Sequence, residues 1–223
     1  METRRLSCAE TAKLIRPILA KNFPGIKFSV RSSTYSMGAS IDVSWDMGPT
    51  TSEVDKFIGG FEGSSFDGMN DLKSYQDCWL LPDGSAQLAY RPDSNGGSIP
   101  EYVSDAPHPN AELVSFGADS VHTNRNCPNE IEEQLAKDMC ALQKVWYHGE
   151  ATTGLYGEND REWVTTLAWR LFSKTSFKPG EGYGGVRYAT EEEGKSEGYD
   201  QAMRIIKTGV KEQVPVTAEA THV

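Results

Sequence analysis

Two runs of alternating apolar residues, set on either side of a short turn, constrain this chain more than any other feature. Ile26, Phe28 and Val30 alternate with polar residues, and Ile41, Val43 and Trp45 do the same. Successive side chains of a strand point to opposite faces, so each run buries one face and wets the other. Ser36-Met37-Gly38-Ala39 between them supplies a turn, and the economical reading is a β-hairpin with one apolar face. That face needs a cover.

Amphipathic helices flank the hairpin in sequence. Upstream, Ser7 and Glu10 stand at capping-box spacing before a stripe of Leu14, Ile15, Ile18 and Leu19. Pro17 predicts a kink or a later start, and Pro24-Gly25 predicts the stop. Downstream, Thr50 and Glu53 repeat the capping box ahead of Val54, Phe57, Ile58 and Phe61, with Gly63 closing the helix. The expected fold class is therefore α+β, its N-terminal part an α-β-β-α layer with an antiparallel sheet.

Residues 64–109 read as loop-rich, with turn signals at Asp67-Gly68, Asp83-Gly84 and Asn95-Gly96-Gly97. A strand is expected from Ala86 to Tyr90 and an extended segment from Glu112 to Asn124. After Cys127-Pro128 the period changes. Asn129 is placed to cap a helix bearing Ile131, Leu135, Met139, Leu142 and Trp146. A second helix from Asn159 carries Trp163, Val164, Leu167, Leu171 and Phe172. The Gly-rich turn from Gly182 leads into a short strand at Val186–Tyr188. A last helix is expected from Glu197 to Thr208, with Tyr199, Met203 and Ile206 inward. The chain thus divides into residues 1–126, an α+β domain, and residues 127–223, a mostly helical C-terminal half that packs separately or as a layer of the same domain.

Composition narrows the function classes. No apolar run approaches the roughly 20 residues of a membrane-spanning helix. Arg4-Arg5 are followed by no apolar stretch, so a secretory leader is not expected. Cys8, Cys78, Cys127 and Cys140 lack a CxxC spacing, and the four histidines do not join them at ligand spacing. Free thiols in a reducing host cytoplasm, with no metal and no cofactor, are the expectation. A formal charge of −10 argues against direct binding to nucleic acid, which needs cations to displace counterions from phosphate. Such a charge keeps a protein soluble and steers it toward basic partners.

The acidic residues form two groups. Glu130, Glu132, Glu133 and Asp138 crowd the helix after Pro128; Glu181, Glu191, Glu192, Glu193, Glu197 and Asp200 form the second. The helix dipole alone accounts for carboxylates at an N-terminus. The sharper reading is a surface that imitates phosphates and enters a basic groove of another protein.

Chemistry-bearing motifs are sparse. Gly180-Glu-Gly182-Tyr-Gly-Gly185 satisfies the dinucleotide fingerprint by letter, but a strand rather than a helix is expected after it, and Glu181 would face the phosphates. It reads as a turn. Asp119, His122 and Arg125 lie close in sequence and offer a base, an orienting carboxylate and an anion clamp. On a strand, however, Asp119 and Arg125 share a face from which His122 points away, and an Asp–Arg pair in a sheet braces the fold. His148 reads as a helix-terminal residue.

Three pieces of the first half, taken in order, carry a family resemblance. They are Phe23-Pro-Gly-Ile-Lys-Phe-Ser-Val-Arg31 running into Ser40-Ile-Asp-Val-Ser-Trp45; Gly48-Pro-Thr50 with Phe61-Glu-Gly63 and Ser65-Phe-Asp-Gly-Met69; and Phe116-Gly-Ala-Asp119 with Asn124-Arg125. Over about residues 11–126 the chain resembles the large polyvalent protein-associated domain 29 family of phage and plasmid proteins. It departs from the family at Val121-His122-Thr123, where more aromatic character is expected. The resemblance implies a mobile-element protein that protects incoming DNA or counters host defence. It brings no catalytic residues. Asp67, Asp71, Asp119, Asn124 and Arg125 match as polar positions that either fix the fold or form a shared binding site.

The leading expectation is a stoichiometric counter-defence factor of the anti-CRISPR kind. It would bind a host defence protein or nucleoprotein complex through Glu130, Glu132, Glu133, Asp138, Glu191, Glu192 and Glu193, with Asp67, Asp119 and Arg125 in the first half. A homodimer through an edge strand or a Trp-bearing helix face is compatible with it. The alternatives are a small enzyme acting through His122, Asp119 and Arg125, and a nucleic-acid-binding module of DNA transfer.

Overall fold

The computed structural model describes residues 3–69, 71–91, 101–102, 105–142, 146–148, 151–153, 160–188 and 203–208. The chain divides into two compact units, Met1–Cys127 and Pro128–Val223.

The first unit opens with β1 (Arg4–Ser7) and α1 (Cys8–Asn22), then β2 (Ser29–Tyr35), β3 (Gly38–Asp46) and α2 (Thr51–Ile58), which a 3-10 turn at Gly59–Phe61 extends. Short strands follow: β4 (Ser64–Asp67), β5 (Leu72–Tyr75), β6 (Cys78–Leu80), β7 (Ala86–Leu88), β8 (Tyr90–Arg91) and β9 (Glu101–Tyr102). Two longer ones, β10 (Glu112–Gly117) and β11 (Ser120–Asn126), complete the unit. Local chemistry sets both helix starts. The Ser7 and Thr50 side chains accept from the backbone N–H groups of Glu10 and Glu53, whose carboxylates reach back to the cap. Helix α1 continues through Pro17.

Two sheets form the frame, in the orders β1-β10-β6-β7 and β11-β3-β2. Strands β2 and β3 pair antiparallel around the loop Ser36–Met37, whereas β1 pairs parallel with β10 and β11 pairs parallel with β3. Between the sheets and helices lies one core of Cys8, Ala12, Ile15 and Leu19 of α1, Ile41, Val43 and Trp45 of β3, Val54 and Ile58 of α2, and Phe61, Val114 and Phe116. Each large apolar side chain buried there contributes about 1.5–3 kcal/mol. Phe61 and Phe116 stack at 5.0 Å between ring centroids.

The second unit contains α3 (Asn129–Leu142), β12 (Trp146–His148), β13 (Ala151–Thr153), α4 (Asp160–Lys174), β14 (Gly182–Tyr188) and β15 (Met203–Thr208). Leu135, Met139, Leu167, Phe172, Phe177, Tyr183 and Met203 are buried in it.

The α+β fold class expected above, an α-β-β-α layer with an antiparallel sheet followed by a mostly helical half, is corrected here. The described part of the first unit begins with a strand, and parallel pairings make its two larger sheets mixed. The second unit is not mostly helical: four described strands accompany its two helices. Helix α3 stops at Leu142, and Trp146 opens a strand paired with β13. The last expected helix is strand β15 where it is described, paired antiparallel with β14 and placing Met203 opposite Tyr188. Its N-terminal part, residues 197–202, lies outside the described residues. Met203 and Ile206 fit a helical spacing, but a strand partner some twenty residues upstream supplied the bonds that decided the outcome. His148, read as helix-terminal, belongs to β12.

Candidate functional site

Asp119 lies in the two-residue link between β10 and β11, the strands that complete the two sheets. Its carboxylate gathers groups from three other strands. Oδ2 accepts the N–H of Ala39 in β3 at 2.9 Å. Oδ1 accepts the hydroxyl of Ser64 in β4 at 3.2 Å and lies 2.7 Å from Nζ of Lys73 in β5. The Asp119 backbone adds a donated bond to the Ala39 carbonyl at 2.7 Å. Burial works to raise the Asp119 pKa, but the bonds from Lys73, Ala39 and Ser64 prevail and hold it below the ordinary carboxylate value. The same bond holds the Lys73 ammonium above its ordinary value. The carboxylate is thus a clasp between the β2–β3 and β4–β5 hairpins.

Gly38 makes the clasp possible. A Cβ at that position would collide with Asp119 Oδ2 and crowd the ring of Tyr35, so any larger residue would push the hairpin off the carboxylate.

A cleft of about 830 Å³ opens beside the clasp, lined by Arg5, Met37, Lys73, Tyr75, Asp77 and Asp119 among others. The hairpins that border it carry large apolar side chains into solvent: Tyr35 and Met37 on one, Phe66, Met69, Leu72 and Tyr75 on the other. Met37 is 87% exposed and Met69 93%. The Lys73 ammonium stands 5.0 Å from the centre of the Tyr75 ring, a cation–π distance.

Arg125 serves a different place. It is buried in β11, and its Nε and Nη2 donate to the carbonyls of Met47 at 2.6 Å and Gly48 at 3.1 Å. Both acceptors have left-handed backbone conformations, with φ of 54° and 55°. The guanidinium therefore ties down the strained turn that carries the chain from β3 to α2. Burial depresses its pKa to about 10, against the pull of Cys127 and Glu53. Asp119 is bonded to Lys73 rather than to Arg125. His122 projects from the exposed side of β11, with Nε2 3.0 Å from Ser120 Oγ. The three residues considered together in the sequence are thus engaged at three separate places.

The other sequence-derived residues are dispersed. Asp67 ends β4 in register with Leu72. Glu130, Glu132 and Glu133 are exposed in the first turns of α3, Glu133 within 2.6 Å of Lys137. Asp138 is structural: it accepts from Gln134 at 2.9 Å and from the Tyr183 hydroxyl at 2.5 Å, joining α3 to β14. Glu191, Glu192, Glu193, Glu197 and Asp200 lie outside the described residues. Glu181 accepts from the N–H of Lys178 and pairs with Lys207 at 3.2 Å. The Gly-rich run that includes it enters strand β14 through a bulge between Tyr183 and Val186. Sequence reasoning gave no site role to Ser64, Lys73 or the exposed hairpin residues, although Met37 stood in the expected turn and Phe66 and Met69 in the family motif. The one available signal was the apolar Phe66, Met69, Leu72 and Tyr75 around a turn.

The first unit and its clasp belong to a domain associated with polyvalent proteins of phages and mobile elements. Over residues 6–128 the sequence matches the large polyvalent protein associated domain 29, and the chain belongs to that family. No curated protein and no solved structure matches the chain. The family span contains the whole clasp, Ala39, Ser64, Lys73 and Asp119, and also Arg125 with the turn that it ties down. Among the described residues no helix is long and apolar enough to cross a membrane.

Proposed function

We propose that this mobile-element protein counters host defence by stoichiometric binding to a host protein or nucleoprotein complex, an anti-CRISPR mode of action. The observation that carries the reading is the pair of apolar hairpins held beside one another by Asp119. Isolated apolar residues on a surface are ordinary. Six large ones on two hairpins of one domain are the material of a contact surface. Burying a side chain such as Met37 or Phe66 against a partner is worth about 1.5–3 kcal/mol.

Charge plays the complementary part. Eleven basic and sixteen acidic residues fall in each of the two units, so the excess of acid is a property of the whole chain. It steers the protein toward a basic surface such as the nucleic-acid-binding groove of another protein, with Glu130, Glu132 and Glu133 adding to that field. The apolar hairpins then supply the affinity.

A titration tests this reading. Purified CRISPR effector complex is assayed for target cleavage with increasing amounts of the protein. Binding predicts inhibition that saturates near one equivalent, weakens with added salt, and is lost in a Met37→Asp/Met69→Asp variant. Inhibition complete at a small fraction of an equivalent would overturn stoichiometric binding and make His122→Ala the next variant.

A further inference from the structure

We propose that the exposed edge of β2 is a self-association surface, and that two copies of this chain pair antiparallel through it about a two-fold axis at Ser32.

The argument starts at the hairpin. The two-residue loop Ser36–Met37 closes on the Tyr35–Gly38 pair, and the ladder runs without a register shift to Ser29–Ser44. In such a hairpin the pair that flanks the loop is hydrogen-bonded, and bonded pairs alternate with unbonded ones. Val30, Ser32 and Thr34 therefore turn their N–H and C=O groups away from β3. One contact agrees with this phase: Arg16 Nη2 of α1 reaches the Val30 carbonyl at 2.9 Å, in an exposed position. On the far side of β3, Ala39 exchanges bonds with Asp119, as the same alternation requires.

The edges of the two larger sheets differ in how they are protected. In β11 the Val121 N–H is taken by the Glu62 carboxylate at 2.9 Å. Strand β1 has four residues and β7 three. Strand β2 has seven, with no proline, no bulge and a single charge, Arg31. Proline, bulges, charges and short length are the ordinary defences of an edge, and β2 has almost none of them.

A second copy is the occupant that fits. With Ser32 on the axis, Val30 meets Thr34 of the partner subunit, Ser32 meets Ser32 of the partner subunit, and all three outward residues enter bonded pairs, the Val30 carbonyl using its second lone pair beside Arg16. Arg31 then faces Ser33 of the partner subunit, so the only charge on the strand never meets its own copy. The product is a continuous six-stranded sheet with β11 at both ends.

The test uses the full chain. Sedimentation equilibrium should show a dimer that dissociates on dilution. Ser32→Pro removes an N–H that β3 does not use, so the fold should persist by circular dichroism while the dimer dissociation constant rises at least tenfold. Ser32→Lys, which sets two ammonium groups on the axis, should do the same and recover partly in high salt. In a Cys127→Ser background, Ser32→Cys should cross-link on mild oxidation, since bonded antiparallel pairs lie about 5.5 Å apart between Cα atoms. Ser29→Cys should not. A monomer at every concentration, a dimer indifferent to both Ser32 variants, or equal cross-linking at Ser29 would each overturn the proposal.

Discussion

Lys73 and Asp119, separated by 46 positions in sequence, meet at 2.7 Å, and their ion pair joins the β4–β5 hairpin to the link between the two sheets. The pair is partly exposed, with side chains 29% and 22% accessible, so its Coulomb attraction alone is modest. Its weight comes from the Ala39 and Ser64 bonds that share the same carboxylate.

Replacing Asp119 by Ala strands three donors and should destabilise the first unit by about 1–3 kcal/mol, read as a lower urea midpoint at constant slope. Asp119→Asn keeps the shape and part of the bonding, and should cost less.

The pH dependence follows from the direction of the shift. Asp119 has a folded pKa below its ordinary value of 3.8. Its contribution is therefore complete above that value and lost as pH falls through the lower folded pKa. Denaturation measured from pH 6 down to pH 2 should show a steep acid loss in the native protein. The loss should be shallower in Asp119→Asn, without vanishing, because Glu10, Asp83 and Glu181 are also held low.

Arg125→Ala should be among the most damaging single changes in the first unit. It leaves the part-buried Met47 carbonyl and the buried Gly48 carbonyl without the guanidinium and frees a left-handed turn, a loss of about 2–4 kcal/mol. Arg125→Lys should recover only part of this, because one ammonium cannot reproduce the planar fork. Thermal melts of the three proteins give the order.

Gly63→Ala should fold poorly or not at all. Gly63 donates to the Ala118 carbonyl at 2.7 Å, and a Cβ there would lie inside the van der Waals shell of the Phe116 carbonyl, a backbone atom that cannot swing aside. Gly59→Ala is the control, since a Cβ at Gly59 meets nothing. Soluble yield and melting temperature separate the two.

Thiol reactivity should be graded. Burial pushes Cys78 up to about 12 and also raises Cys8 and Cys140, while Cys127 is partly exposed. A disulfide reagent at pH 8 should modify one thiol quickly in the native protein, and Cys127→Ser should remove that phase.

The features legible in the sequence were local ones. Both capping boxes and strand β3 follow from residues within a few positions of each other, and the structure places them where those patterns point, whereas β2 runs from Ser29 to Tyr35 and so contains Val30 but not Ile26 or Phe28. Strand β1 was not legible: Arg4-Arg5-Leu6-Ser7 has no alternation and becomes a strand only because β10 lies alongside. Strand β15 was misread for the same reason, its pairing with β14 overriding a spacing that also suits a helix. At the site, Asp119 was visible as a polar position of interest, but its partner was sought six residues away, at Arg125. No local pattern marks Lys73 or Ser64 as its ligands.

The two parallel pairings carry a consequence for biosynthesis. Strand β1 and strand β3 emerge early from the ribosome, yet each waits for a neighbour from β10 or β11, and those are separated only by Ala118 and Asp119. The first sheet cannot be completed until residue 117 has cleared the exit tunnel, nor the second until residue 126 has. At about 5–20 residues per second, the nascent hairpin and α1 hold their apolar faces open for several seconds. Any helper that shields a new chain meets this domain before it is a domain, and a chain cut short ahead of β10 lacks a strand of each larger sheet.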